Sequence, residues 1–126
     1  MHQDNVITED RNFDDIAEKF CKRIYASEKG HLRIAVLERD INEVLQQIFP
    51  QQCIQILDAG GGAGQFSSRL AADAHAVTLC DISGKMLEMA AQQFARQAPE
   101  SKPRFIHSSI QSLHKHERET YDLVLF

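Results

Sequence analysis

The sequence predicts an α/β fold, in which a parallel sheet carries helices on both faces. Three observations support this prediction. Short β-rich runs alternate with helical patterns after residue 51, an alternation typical of parallel sheets. A glycine-rich turn joins the first β-rich run to the helix that follows it. The last run, residues 121–126, is nearly all apolar, as expected of a strand buried on both faces.

Residues 1–50 precede the sheet and divide into two parts. Residues 1–10 are acidic and polar and are predicted to be a disordered lead. Residues 11–50 are predicted to form an N-terminal helical region of two helices, separated by a break at 27–30 and ended by Pro50. Apolar residues recur at helical spacing in both helices. They are Phe13, Ile16, Ala17, Phe20 and Ile24 in the first, and Ile34, Leu37, Ile41, Val44, Leu45 and Ile48 in the second.

Residues 51–126 are predicted to form the α/β domain. Strands are expected at 53–57, 76–80, 104–107 and 121–126, with helices at 66–72 and after Ser83, whose side chain can cap a helix. The polar segment 108–119 is expected to hold one helical turn at most. The chain ends inside the fourth strand, which a fifth strand would cover in a doubly wound sheet of order 3-2-1-4. The domain is therefore expected to be incomplete.

Composition narrows the classes of function. The net charge is −4, whereas strong nucleic-acid binders usually carry a basic excess. Cys21, Cys53 and Cys80 are widely spaced, which argues against a zinc site or a disulfide framework and favours buried free thiols. No metal site is expected from His114 and His116, which lie on a polar segment. No signal peptide or membrane span is found, so a cytoplasmic location is predicted.

The segment that carries chemical information is the glycine turn after the first strand. Gly60, Gly61, Gly62 and Gly64 allow a sharp turn and leave no Cβ in a ligand's path. Asp81 ends the next strand, and in a doubly wound sheet an acid roughly 20 residues after the glycine turn accepts ribose hydroxyls. The sequence therefore predicts a site for a nucleoside-containing ligand over the turn.

Several ligand classes could use such a turn. A phosphate-binding loop ends in Gly-Lys-Ser/Thr, whereas here Gln65 follows Gly64. A dinucleotide site prefers G-x-G-x-x-G, and Gln65 holds the position of its last glycine. Asp58, directly before the turn, would repel a pyrophosphate but not a cationic sulfonium or ammonium group. A dinucleotide, or a turn that binds no ligand, remains an alternative.

The stretch of residues 57–64 resembles the first motif of class I methyltransferases, L-D-x-G-x-G-x-G, and Asp81 matches the ribose-binding acid of that family. This resemblance implies a Rossmann-like fold, truncated here after the fourth strand. It also implies that the cofactor is S-adenosyl-L-methionine.

A more specific resemblance spans about residues 10–126. Residues 10–20, Tyr25, 29–30 and 32–33, together with 79–81, 105–107 and 122–126, are similar to bacterial tRNA 5-carboxymethoxyuridine methyltransferases. The family implies transfer of a methyl group to the carboxylate of 5-carboxymethoxyuridine at the wobble position of tRNA, which gives a neutral methyl ester. Transfer RNA would then be the partner, and neither a membrane nor a metal would be needed.

The resemblance also implies a set of cofactor-binding residues by position. They are Arg33, Gly60, Gly61, Gly62, Asp81, Ile82, Ile110 and Gln111. The guanidinium of Arg33 suits the carboxylate of the methionine moiety. Ser112 stands where relatives carry an acid that bonds the adenine amino group. No catalytic residue is assigned, because the acceptor carboxylate is already ionised at neutral pH.

Two other interpretations stay open. One is a small-molecule S-adenosylmethionine-dependent methyltransferase with the same donor loop, and the other is an inactive truncated product. Most residues that bind the methyl acceptor are expected beyond Phe126. The chain is therefore expected to bind the methyl donor at best. The fourth strand is expected to leave an open sheet edge, a feature that promotes pairing with other chains.

Overall fold

A computed structural model describes residues 28–115 and 120–126. The predicted disordered lead and the first predicted helix lie outside the described residues. The described α-helices and strands alternate as far as the third strand, and a 3₁₀ turn at Leu113–Lys115 separates the last two strands. In chain order they are α1 (Glu28–Ile48), β1 (Gln55–Ala59), α2 (Ser67–Ala72), β2 (Ala76–Asp81), α3 (Gly84–Gln97), β3 (Arg104–His107) and β4 (Leu123–Leu125).

The four strands form one parallel sheet in the order β3-β2-β1-β4. This confirms the predicted fold class. In the register of the sheet, Ala59 lies beside Cys80 and Asp81 lies beside His107. The carboxyl ends of β1, β2 and β3 therefore meet at one edge, where ligands bind in doubly wound sheets.

The main core lies on one face of the sheet. Ile56 of β1 and Leu79 of β2 are fully buried there, and α1, α2 and α3 cover them with Leu45, Leu70 and Phe94. All three described α-helices thus pack on the same face, whereas helices were expected on both. The opposite face carries Leu57, Ala59 and Cys80, covered by Ile106, Leu113 and Tyr121.

The helix α1 begins earlier than predicted and ends, as predicted, before Pro50. It begins at Glu28, so Gly30 lies inside the helix and not in a break. Gly30 is buried within this helix. Two residues of the predicted apolar stripe, Leu37 and Ile48, are 51% and 62% exposed. The helical spacing predicted the helix correctly, but it predicted a wider buried face than the structure shows.

A further expectation about burial was wrong for one cysteine. Cys53 is exposed, and of the described cysteines Cys80 alone is buried as predicted. Cys53 precedes β1, where no strand pairs it into the core. Val124 in β4 is 42% exposed, in agreement with the open edge that was expected at this strand. The strand β4 pairs with β1 on one side and is the edge strand of the described sheet. No described helix is long and apolar enough to cross a membrane.

Replacing Phe94 should test the core. Its ring is 2% exposed and meets Phe105 edge-on, with ring centroids 5.4 Å apart. Phe94→Ala should lower the free energy of unfolding by about 3–5 kcal/mol because it leaves a cavity. The matched control is Phe126→Ala, since Phe126 is 92% exposed and its loss should change stability by less than about 0.5 kcal/mol. Urea unfolding measures both, and equal effects would contradict the described core.

Candidate functional site

The glycine turn of the sequence analysis, residues 60–64, is called the glycine loop below. It follows the carboxyl end of β1 and leads towards α2. Gly60, Gly62 and Gly64 have φ angles of 75°, 61° and 72°. These angles lie in the left-handed region, which side chains with a Cβ rarely adopt. The loop therefore depends on three glycines for its backbone path.

Gly61 is required for a different reason. A Cβ at this position would lie 2.6 Å from Cγ of Asp58 and 2.8 Å from Cγ of Leu79. The backbone of the loop thus rests directly on the Asp58 side chain, and no larger residue fits between them. The spacing of the motif, in which the acid precedes the glycines, is explained by this contact.

Asp81 ties the loop to the next turn. Its Oδ2 accepts a hydrogen bond from the Gly62 N–H at 3.0 Å, and its Oδ1 accepts one from the Ser83 N–H at 2.9 Å. The N–H groups of Gly60 and Gly61 donate to the carbonyl oxygen of Cys80, at 2.7 and 3.2 Å. An ionised carboxylate has about four acceptor positions, so Asp81 keeps acceptor capacity for a ligand.

Asp58 is a buried carboxyl group, 8% exposed. Burial raises the pKa of Asp58 from 3.8 to about 6, the Ser67 hydroxyl opposes this rise, and the charge of Asp81 adds to it. The Ser67 hydroxyl is fully buried and has no hydrogen-bond partner of standard geometry among the described residues. The Ser67 hydroxyl therefore lowers the pKa of Asp58 without a hydrogen bond of standard geometry.

A cavity of about 340 Å³ opens beside the loop. It is lined by Gly60, Asp81, Ile82, Ser108, Ser109, Ile110 and Gln111. The side chains of Ile82 and Ile110 are 44% and 48% exposed. The cavity thus combines two accessible apolar side chains with one carboxylate, a combination suited to a ligand with a flat apolar part and hydroxyl groups.

The structure brings five of the eight predicted site residues to this cavity, namely Gly60, Asp81, Ile82, Ile110 and Gln111. Gly61 and Gly62 belong to the loop but do not line the cavity. Arg33 lies on the exposed surface of α1 and is not among the lining residues.

Sequence reasoning missed two lining residues, Ser108 and Ser109. The carbonyl of Ser108 accepts a bond from the buried Cys80 thiol, with the sulfur 3.2 Å from the oxygen. The hydroxyl of Ser109 accepts one from the Ser112 N–H at 3.1 Å. A serine whose hydroxyl accepts a hydrogen bond from the backbone N–H three residues later is typical of a tight turn. The two serines after β3 were therefore the sequence signal for a turn at this edge of the sheet.

A larger cavity, of about 610 Å³, lies at the opposite edge of the sheet. Its lining includes His75, Ala76 and Pro103, which stand at the amino ends of β2 and β3. Ligands of doubly wound sheets bind outside the carboxyl ends of the strands. We therefore place the candidate site in the smaller cavity, beside the glycine loop and Asp81.

Comparison with known families identifies the family of this chain. The family model described as "Methyltransferase domain" matches residues 56–126, from β1 through β4. The chain belongs to the methyltransferase domain family. Its matched segment includes the glycine loop, Asp81 and every residue that lines the candidate cavity.

Two curated relatives are named as methyltransferases. This chain is 43% identical over 118 residues to tRNA 5-carboxymethoxyuridine methyltransferase of Escherichia coli (strain K12), across 94% of this chain and 45% of the relative. It is also 42% identical over 62 residues to malonyl-[acyl-carrier protein] O-methyltransferase of Erwinia pyrifoliae, across 48% of this chain and 24% of the relative. The chain thus spans less than half the length of these curated relatives.

Solved structures show the same fold. Magnesium protoporphyrin IX methyltransferase from Synechocystis PCC 6803, crystallised with bound SAM, superposes with a TM-score of 0.67 at 22% identity, over 94% of this chain and 59% of that one. The expected class I methyltransferase fold is confirmed. Within residues 28–115 and 120–126, no group of three or more His, Cys, Asp or Glu side chains could hold a metal ion.

The buried Asp58 should make stability depend on pH. Its pKa of about 6 in the folded protein exceeds its ordinary value of 3.8, so folding favours the protonated form. This contribution is complete below about pH 4 and is lost as the pH rises through about 6, at a cost of roughly 3 kcal/mol. Asp58→Asn cannot ionise, so its stability relative to the wild type should rise by up to roughly that amount between about pH 4 and pH 7.5.

Chemical denaturation without ligand at both pH values measures this difference. The control is Asp73→Asn, which replaces an exposed carboxyl and should leave the pH dependence unchanged. A constant stability difference between Asp58→Asn and the wild type at the two pH values would contradict the account of Asp58.

Proposed function

We propose that this chain is the donor-binding part of an S-adenosylmethionine-dependent methyltransferase that esterifies the carboxylate of 5-carboxymethoxyuridine at the wobble position of tRNA. The observation that carries the proposal is 43% identity across 94% of the chain to the E. coli tRNA enzyme. The geometry of the cavity supports S-adenosylmethionine as the methyl donor. The similarity to the E. coli enzyme supports 5-carboxymethoxyuridine as the methyl acceptor. A cytoplasmic location, where tRNA is found, is part of the same proposal.

The residues at the cavity fit the parts of S-adenosylmethionine. The spare acceptor capacity of Asp81 suits the two ribose hydroxyls. The exposed side chains of Ile82 and Ile110 suit the faces of an adenine ring. The negative charges of Asp58 and Asp81 suit a ligand that carries an ammonium and a sulfonium group. The buried hydroxyl of Ser67, which lowers the pKa of Asp58, adds a polar group near this carboxyl.

The cofactor supplies an electrophilic methyl group on a sulfonium. The residues of this chain contribute binding and orientation. The glycine loop is held by Asp81 and contacts Asp58, so it offers a fixed surface that can align the donor with its acceptor. Such alignment lowers the activation barrier of methyl transfer substantially. No residue of the chain needs to remove a proton, because a carboxylate acceptor is ionised at neutral pH.

Roles for the remaining predicted residues belong to the proposal. Gly61 and Gly62 would let the methionine moiety approach the backbone of the loop, since no Cβ stands in the way. Arg33, exposed on α1, would bind the carboxylate of that moiety. Gln111 would lie at the adenine end of the cavity, beside the turn that contains Ser112.

A second candidate function is O-methylation of a small acyl substrate. The 42% identity to malonyl-[acyl-carrier protein] O-methyltransferase favours it, but this similarity covers only 48% of the chain. Similarity to the tRNA enzyme extends over 94% and so includes the region before the glycine loop. We therefore favour tRNA as the substrate.

Removing the carboxylate of Asp81 should weaken donor binding. Asp81→Ala should reduce the affinity for S-adenosylhomocysteine about ten- to hundredfold, because charge-assisted hydrogen bonds to the ribose are lost. Isothermal titration calorimetry measures the change. The matched control is Asp122→Ala, since Asp122 also accepts a backbone N–H, that of Gln55 at 2.9 Å, but at the amino end of β1. Unchanged affinity in Asp81→Ala, or tight binding of NADH by the wild type, would contradict the proposal.

The substrate is tested separately in cells. A bacterial strain that lacks the gene for this protein should accumulate tRNA with free 5-carboxymethoxyuridine in place of its methyl ester. Mass spectrometry of nucleosides from purified tRNA measures the ratio of acid to ester. Reintroducing the gene should restore the ester, while the Asp81→Ala form should not. Normal ester levels in the deletion strain would refute the tRNA assignment and leave the donor site untouched.

A further inference from the structure

His107 is a polar residue at the carboxyl edge of the sheet that the proposed function has not used. It ends β3 and lies beside Asp81 of β2 in the register. Its ring nitrogen Nε2 is 2.8 Å from the carbonyl oxygen of Ile82. Because a carbonyl oxygen only accepts, Nε2 carries the proton and donates this hydrogen bond.

The segment that receives this bond forms one wall of the cavity. Ile82 stands between Asp81, whose carbonyl accepts the Ser108 N–H at 3.1 Å, and Ser83, whose N–H donates to Asp81 Oδ1 at 2.9 Å. The Ser83 N–H and the Ile82 carbonyl belong to the same planar peptide group. The bond from His107 therefore holds the carbonyl end of a peptide group whose N–H end is held by Asp81, and it does so from the neighbouring strand.

Packing alone does not hold Ile82 in place. Its side chain is 44% exposed, so few neighbours restrain it. The His107 ring also lies close to the start of α3, where a Cβ on Gly84 would be 3.5 Å from the ring carbon Cε1. The ring of this exposed residue thus lies beside the turn that leads from β2 into α3.

We propose that His107 is a positioning residue for the cavity beside the glycine loop, called the donor cavity below. The hydrogen bond from His107 to the Ile82 carbonyl sets the position of the Ile82 side chain, which lines this cavity together with Ile110. His107 does not line the cavity and acts through Ile82. This inference rests on the proposed function, since it assigns the cavity to the nucleoside part of the donor. It predicts that the bond to Ile82, and not the ring itself, matters for affinity.

Two substitutions separate the hydrogen bond from the packing of the ring. His107→Phe keeps a ring of similar size but donates no bond. His107→Gln lacks the ring but keeps an N–H donor at a similar reach. We expect His107→Phe to weaken binding of S-adenosylhomocysteine about three- to tenfold, the effect of one lost hydrogen bond, and His107→Gln to bind within about twofold of the wild type.

The matched control is His75, whose ring also bonds a backbone group. Its Nδ1 accepts the Ile54 N–H at 3.1 Å, at the amino edge of the sheet and away from the donor cavity. His75→Phe should lower the thermal midpoint of unfolding without changing the affinity of the folded protein. Calorimetry well below the thermal midpoint of every variant therefore distinguishes positioning from general destabilisation.

The outcomes are distinct. Weak binding by His107→Phe, with near-normal binding by His107→Gln and His75→Phe, would support the proposal. Wild-type affinity in His107→Phe, or equal weakening in His107→Phe and His107→Gln, would overturn it. If the wild type bound no S-adenosylhomocysteine at all, the proposed function itself would fail, and this failure would be seen before any variant was compared.

Discussion

The candidate site depends on one carboxylate, that of Asp81. Its two oxygens accept N–H groups from the glycine loop at Gly62 and from the turn before α3 at Ser83. Its backbone carbonyl accepts the N–H of Ser108 after β3. Three connections that leave three neighbouring strands are thus joined at a single residue. Removing the side chain would free the loop and the α3 turn together, so ligand affinity and the order of the site are coupled through it.

A second constraint is the pair of carboxyl groups on one face of the sheet. Asp58 is the second-to-last residue of β1 and Asp81 is the last residue of β2. Burial together with the charge of Asp81 raises the pKa of Asp58 to about 6. The folded protein therefore keeps an unfavourable charge pair beneath a loop that must approach its ligand closely. A cationic ligand would relieve this repulsion, whereas a pyrophosphate would increase it. The same feature that lowers stability at neutral pH thus selects the charge of the ligand.

Much of this arrangement was predictable from local patterns. The strand Arg104–His107 has the predicted bounds, and Ser83 caps α3 with a bond to the Met86 N–H. The glycine loop and Asp81 were found because their chemistry is local and their spacing is fixed by the fold. Two local features were missed, the contact of Asp58 with Gly61 and the turn at Ser108 and Ser109, although the two serines were a signal for the turn. The face on which the helices pack depends on residues that are distant in the sequence, and local patterns do not contain those contacts.

The most direct test of the account is a crystal structure of the protein with S-adenosylhomocysteine. We expect the ribose hydroxyls to bind the Asp81 carboxylate, with the adenine between Ile82 and Ile110 and the bond from Gly62 to Asp81 retained. A nucleoside in the larger cavity at the amino edge of the sheet, beside His75 and Pro103, would contradict the account, as would a ligand beside the loop that leaves Asp81 without a contact.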